Sequence, residues 1–391
     1  MPSASATTAP TAPLFRPFMP ELDTIRGIAV LGVMSLHAFY WQYSALSFGL
    51  WPRRFLAATQ PGWMGVNLFF VLSGFLITGI LLDSKNKPHY YRRFYTRRAL
   101  RILPAYYALL IVLLLLRMSS AAFVGLSFIY LANLTDFFGV VCDYGPLWSL
   151  AVEEHFYILW PTVVRRVTTR GLALISAAIV VLTPALRATS FALGHKNGLD
   201  WYTWFVADGL ALGALLAIAL RSGISRNQVR TLCGILLASA GLIVLAGRPF
   251  GITTRNRLLG AGLQYTTINL VCAGILLLFL LAGTNSAKRY VNFAPLRFLG
   301  YLSYGLYLNH LLAFRLYDWT LRRYFPALLP SSGHFALVLL KFAVAGGAAI
   351  VVAYLSRRYF EERFLRLKDS LVPHPSALEA KPMDAPSPQA A

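Results

Sequence analysis

A chain of 391 residues that is 57% hydrophobic and only 13% charged is not a soluble globular protein, because no water-facing fold absorbs so many long apolar runs. The formal net charge of +21 does not point to nucleic acid either. Its lysines and arginines fall mostly in short segments between apolar runs, as topological signals and anion contacts do, and not in a soluble basic domain.

Taken in order, residues 1–20 are rich in Ala, Thr and Pro and are expected to form a disordered cytoplasmic tail. No cleavable signal is expected, since the first apolar run follows Glu21 and Asp23 and lacks a basic flank. Apolar runs then recur at about 25–41, 63–82, 102–116, 147–164, 172–186, 204–220, 232–246, 263–282, 298–314 and 335–355. Basic loops separate them at 85–101, 165–170, 221–230 and 288–297, with a further basic stretch at 357–368. Placing all of these on the cytoplasmic side requires an even number of crossings between each pair. The short segment 121–134, which contains polar positions, then does not cross and is a re-entrant or surface helix. The expectation is an all-α polytopic transmembrane bundle of about ten spans over 21–369. It would lie in the inner (plasma) membrane with both termini cytoplasmic, and a disordered tail would follow at 370–391. Cys142, Cys233 and Cys272 form no disulfide framework, and no His/Cys cluster has metal-ligand spacing, so no metal is expected.

Polar residues inside the apolar runs carry the chemistry. Arg26 and His37 are eleven positions apart, about three helical turns, so they share a face and stand roughly 16 Å apart along the axis. His37 would sit about 18 Å above Ile25, and Glu153, entering from the far side in SLAVEEHFY, about 9 Å deep. The two arrive at similar depth. A Glu153–His37 pair is either a structural bridge between helices or the orienting half of a general base. Ser149, Glu153 and Tyr157 share one helical face, whereas Glu154 points elsewhere. Arg98 and Arg101, three apart at the mouth of the third span, suit phosphate, although simple positive-inside topology explains them equally. His310, in GYLSYGLYLNH, is buried at similar depth and reads as a core histidine more readily than a catalytic one. Small residues Gly65, Ser73, Gly74 and Gly79 make the second span a close-packing helix.

Together, Arg26-x10-His37, Arg98-x-x-Arg101, Ser149-Leu150-x-x-Glu153-x-x-Phe156-Tyr157, GVNLFFVLSGFLI and SYGLYLNH resemble the acyltransferase-3 family of integral-membrane O-acyltransferases. The similarity runs from about residue 20 to 367 and includes Asp208-Gly209-Leu210-Ala211-Leu212-Gly213. The resemblance implies transfer of an acyl group, commonly acetyl, from cytoplasmic acyl-CoA to a hydroxyl of a carbohydrate acceptor. It further implies that Arg26, His37, Arg98, Arg101 and Glu153 are the functional positions. Asn67 stands where the family more often has Asp, and Asn309 replaces an aromatic; Asn67 is therefore given no catalytic role. Some relatives carry a further extracytoplasmic hydrolase-like domain, so a two-step transfer within this polypeptide is not expected.

The expected chemistry has Arg98 and Arg101, with Arg26, holding coenzyme A phosphates while His37 deprotonates the acceptor and Glu153 fixes its tautomer. Ser149, Tyr157 and His310 serve as support. A covalent acyl-histidine is the other route open to the same residues. A proton-coupled transporter of an anionic or sugar solute is the competing class, and inverted-repeat symmetry, which would mark it, is not visible. An inactive scaffold fits the retained polar set less well. The acceptor's identity and the oligomeric state are left open.

Overall fold

The computed structural model describes Arg16 and residues 19–285, 287–329 and 334–371, and among these every regular element is helical. Helices are what lipid demands, since every buried N–H and C=O must be bonded within its own segment. The chain runs as α1 (Pro20–Ser35), α2 (Leu50–Thr59), α3 (Met64–Ser84), α4 (Tyr90–Leu115), α5 (Ala121–Phe128), α6 (Leu147–Arg166) and α7 (Thr169–Ala192). It continues as α8 (Thr203–Arg221), α9 (Arg226–Gly247), α10 (Leu258–Ala282), α11 (Ala294–Tyr301), α12 (Ser303–Tyr324), α13 (Phe335–Leu355) and α14 (Glu362–Leu371), joined by loops and one-turn pieces. Pro20 opens α1 where its missing N–H is harmless, and Glu21 and Asp23 in the first turn face the positive end of the helix dipole. A π-helical turn, Leu36–Tyr40, carries α1 onward to Tyr43, and a second, Ser356–Glu361, joins α13 to α14.

Among the described residues, eight helices are long and apolar enough to cross a membrane, against the ten expected, and the chain is a multi-pass membrane protein. Of the ten expected spans, the two that fall short are α6 and α12. Each has the length, 20 and 22 residues, but α6 carries Glu153, Glu154 and His155, and α12 carries His310, Arg315 and Asp318. Their polar cargo, not their reach, lowers their mean hydropathy. The segment at 121–134 contains only the eight-residue α5, about 12 Å long and too short to cross. Most of the two expected tails lies outside the described residues. Within them, Arg16 donates to the Gly283 carbonyl at 3.0 Å and pairs with Glu21, and α14 runs on to Leu371.

Two contacts fix the centre of the bundle. α3 and α8 touch backbone to backbone: a Cβ on Gly74 would lie 1.9 Å from the Leu210 carbonyl oxygen, and one on Gly213 2.0 Å from that of Val71. The glycines of both motifs serve this approach. Beside it, fully buried Arg187 on α7 spends all its N–H groups inside the protein. It donates to Asp208 Oδ1 and Oδ2 (3.3 and 3.1 Å), to the Gly262 carbonyl (3.1 Å), to Thr266 Oγ1 (2.6 Å) and to the Phe205 carbonyl. Asn67 is likewise structural, donating to Asn269 Oδ1 at 2.8 Å. The basic loops gather at one end, as expected: Lys85 Nζ reaches the Val167 carbonyl at 2.6 Å, Arg221 pairs with Asp83 at 2.7 Å, and Arg165 sits 5.4 Å above the Tyr90 ring.

Arg187→Met leaves the Asp208 carboxylate buried and unpaired, which costs about 3–5 kcal/mol. Thermal unfolding in detergent should show a large loss for that variant and partial recovery in Arg187→Met/Asp208→Leu. Equal midpoints for the single variant and the parent would contradict the assignment.

Candidate active site

Five helices bring polar side chains to one cavity of about 340 Å³, open at one end. α1 supplies Arg26, α3 Ser73, α4 Arg98 and Arg101, α6 Ser149, Glu153, Glu154 and Tyr157, and α12 Tyr304 and Tyr307. Arg98 and Arg101 share a face one turn apart, so both guanidinium groups reach the same space. A second cavity of about 640 Å³ adjoins it and shares Arg26, Arg101 and Tyr304. Its wall carries five arginines (26, 97, 101, 357 and 366) against three carboxylates (Asp23, Glu361 and Glu362), so its charge is net positive. Wide and cationic outside, narrow and mixed inside, the pair forms a vestibule and a channel.

Glu153 belongs to the channel's arginines. Tyr157, one turn on, donates its hydroxyl to Glu153 Oε2 at 2.5 Å, and Ser73 Oγ donates to Oε1 at 3.1 Å. Arg98 lies 3.9 Å from Oε2 and its Cζ stands 3.7 Å over the Tyr157 ring. The Nε of Arg98 is buried with no hydrogen-bond partner, as is that of Arg357 on the vestibule wall. Arg26 is held by Asp23 at 2.6 Å. Both arginines line these cavities, where an anionic guest would meet their guanidinium charge.

The expected Glu153–His37 pair does not form. His37 Nδ1 instead meets His310 Nε2 at 2.7 Å, and the two rings stack with centroids 5.0 Å apart at 12°. His310 Nδ1 lies 2.8 Å from the Leu306 carbonyl oxygen one turn back on its own helix. A carbonyl only accepts, so Nδ1 of His310 carries the proton and its Nε2, in a neutral ring, accepts. His37 therefore donates through Nδ1, and its own Nε2 keeps the lone pair. That nitrogen has no hydrogen-bond partner among the described residues. Burial of both rings inside lipid favours the neutral state on which this assignment rests. The physical reason for the exchange of partners is local supply: Tyr157, Ser73 and Arg98 surround Glu153, while α12 delivers a second imidazole to His37.

The inner wall of the channel links the two groups. Ser149 Oγ and Tyr307 Oη are 2.6 Å apart, and the Tyr307 ring centroid is 6.0 Å from that of His310. Neither histidine lines the channel itself; Tyr307 stands between. Glu154 does line it, correcting the expectation that it points elsewhere. A cavity that wraps around α6 by more than 100° admits neighbouring positions. Ser73 and Tyr307 were not singled out as site residues, although Tyr301, Tyr304 and Tyr307 recur every three positions in GYLSYGLYLNH.

The acyltransferase-3 family model, described as an acyltransferase domain, matches residues 19–358. The chain belongs to that family. It is 26% identical over 333 residues to peptidoglycan O-acetyltransferase OatA of Listeria monocytogenes, covering 75% of this chain and 49% of the relative. It is 28% identical over 326 residues to the putative peptidoglycan O-acetyltransferase YrhL of Bacillus subtilis, covering 75% and 48%. It is 26% identical over 336 residues to O-acetyltransferase OatA of Staphylococcus aureus, covering 75% and 50%. The acyltransferase-3 chain described here thus spans about half the length of these curated relatives. No solved structure matches it.

Ser149→Ala strands the Tyr307 hydroxyl and should cost about 1–3 kcal/mol in detergent unfolding, whereas Ser149→Ala/Tyr307→Phe should recover most of it. Additive losses in that cycle would mean the two hydroxyls are not bonded to one another.

Proposed function

We propose that the chain is a membrane O-acyltransferase that moves an acyl group, acetyl in the first instance, from acyl-CoA to a hydroxyl of a glycan. The observation that carries this reading is the row of polar groups from the arginine vestibule, past Glu153–Arg98 and Ser149–Tyr307, to a histidine pair that begins 6.0 Å from the Tyr307 ring. Membership of an acyltransferase family favours transfer over the carrier class, and relatives named as peptidoglycan O-acetyltransferases favour a glycan acceptor. Arg26, Arg98 and Arg101 hold the diphosphate and ribose phosphate of the donor, and the pantetheine arm enters the channel toward Tyr307. Nε2 of His37 takes the proton of the acceptor hydroxyl, and the oxygen adds to the thioester carbonyl. Collapse of the tetrahedral adduct breaks the C–S bond, and the departing thiolate takes the proton back from His37. His310 is the group that fixes the His37 tautomer, the part first given to Glu153. Glu153 instead positions Arg98 and Tyr157 for the donor.

The donor side is the cytoplasm, which holds acyl-CoA, so the gathered basic loops face inward and the termini with them. The membrane is then the inner (plasma) membrane. Ten crossings fit this better than eight. α4 leaves the basic end and α6 returns to it, where Tyr90 donates to the Pro161 carbonyl at 3.0 Å. α12 leaves from the level of Ile102, whose carbonyl accepts from Tyr304 at 2.8 Å, and α13 returns to Arg357 on the vestibule wall.

Two kinetic outcomes separate the roles, measured with labelled acetyl-CoA on inverted membrane vesicles. His37→Ala should lower kcat by about 10²–10⁴-fold without loss of folded protein, and His310→Ala should also act on kcat. Arg98→Ala and Glu153→Gln should act mainly on the KM for acetyl-CoA. Full turnover in His37→Ala would remove it as the base, and an unchanged donor KM in Arg98→Ala would remove that residue from the phosphate site.

A further inference from the structure

Trp41 is 64% exposed, and its ring centroid lies 4.6 Å from that of His37 at a tilt of 53°. No part of the donor track uses it. His310 stacks on one side of the His37 imidazole and Trp41 packs on another, its indole largely exposed.

The backbone arranges this contact. Leu36–Tyr40 is a π-turn, closed by a bond from the Trp41 N–H to the Leu36 carbonyl five residues back. Residues four apart face the same side of a helix, and Trp41 keeps that place beside His37 through the π-turn. Such turns are uncommon and cluster at functional sites. The next residue pins the segment. Gln42 donates to Asp318 Oδ2 at 2.6 Å and accepts from fully buried Lys341 at 2.5 Å, while Lys341 also reaches Asp318 at 2.7 Å. Trp41 is thus an exposed indole on a doubly anchored turn.

We infer that Trp41 is the acceptor platform: one pyranose ring of the glycan lies on the open indole face, which sets a sugar hydroxyl over Nε2 of His37. The π-face of an indole is electron-rich, and the axial C–H groups of a pyranose present a weakly positive, apolar face of matching size. A tryptophan at the bilayer edge also anchors many membrane proteins, but anchoring needs no contact with an imidazole. The inference rests on His37 acting as base, and the two fail separately.

The test uses the purified full chain in nanodiscs, with acetyl-CoA as donor and a chito-oligosaccharide as acceptor probe. Trp41→Leu should raise the KM for the oligosaccharide about tenfold, with kcat changing by less than about threefold and the KM for acetyl-CoA unchanged. Trp41→Phe, which keeps a smaller π-face, should fall between. Trp51→Leu is the control, since Trp51 is 75% exposed on neighbouring α2 and has no ring contact with either histidine. Equal effects of Trp41→Leu and Trp51→Leu, an unchanged acceptor KM, or no transfer to the oligosaccharide by the parent protein would overturn the platform. Retained turnover in His37→Ala in the same assay would instead strike the base on which it rests.

Discussion

The carbonyl of Leu306 accepts one hydrogen bond, and the protonation pattern of the histidine pair follows from it. Because that oxygen can only accept, His310 presents a lone pair to His37, and His37 turns its own lone pair outward. No carboxylate is needed to set this tautomer. A charged partner would add a second desolvated group beside the imidazole, where lipid makes such groups costly. A backbone carbonyl on the same helix does the orienting with a dipole already bound into the fold.

The same constraint accounts for how the remaining polar groups are grouped. Several buried charges sit in hydrogen-bonded sets: Arg187 with Asp208 and Thr266, Lys341 with Asp318 and Gln42, and Glu153 with Tyr157, Ser73 and Arg98. The first set is saturated and lies beside the tightest helix contact, which is the arrangement of a structural lock. The third is incomplete, with the Arg98 Nε buried and unbonded. That difference in saturation, more than the residue types, separates scaffold from site. The two π-turns among the described residues also fall at the track's ends, one at His37 and one at the vestibule.

Much of this was legible in the sequence. Hydropathy marked the helices, loop charge marked which ends gather together, and helical spacing put Arg98 beside Arg101. Three things were not. The partner of His37 lies 273 residues away on another helix, and depth alone cannot choose between Glu153 and His310 when both arrive at that level. Mean hydropathy alone does not rank α6 and α12 as spans, because their polar residues lower it. Nor does sequence period foresee a π-turn, or how exposed Trp41 is at its end.

The most direct measurement is solid-state nitrogen NMR of the histidine-labelled protein in lipid at neutral pH, with His37→Ala to assign the resonances. The account predicts a proton coupled to Nδ1 of His37 and none on Nε2, with the reverse proton arrangement absent. A protonated Nε2 on His37 would contradict it, because that nitrogen could then accept nothing from a sugar hydroxyl.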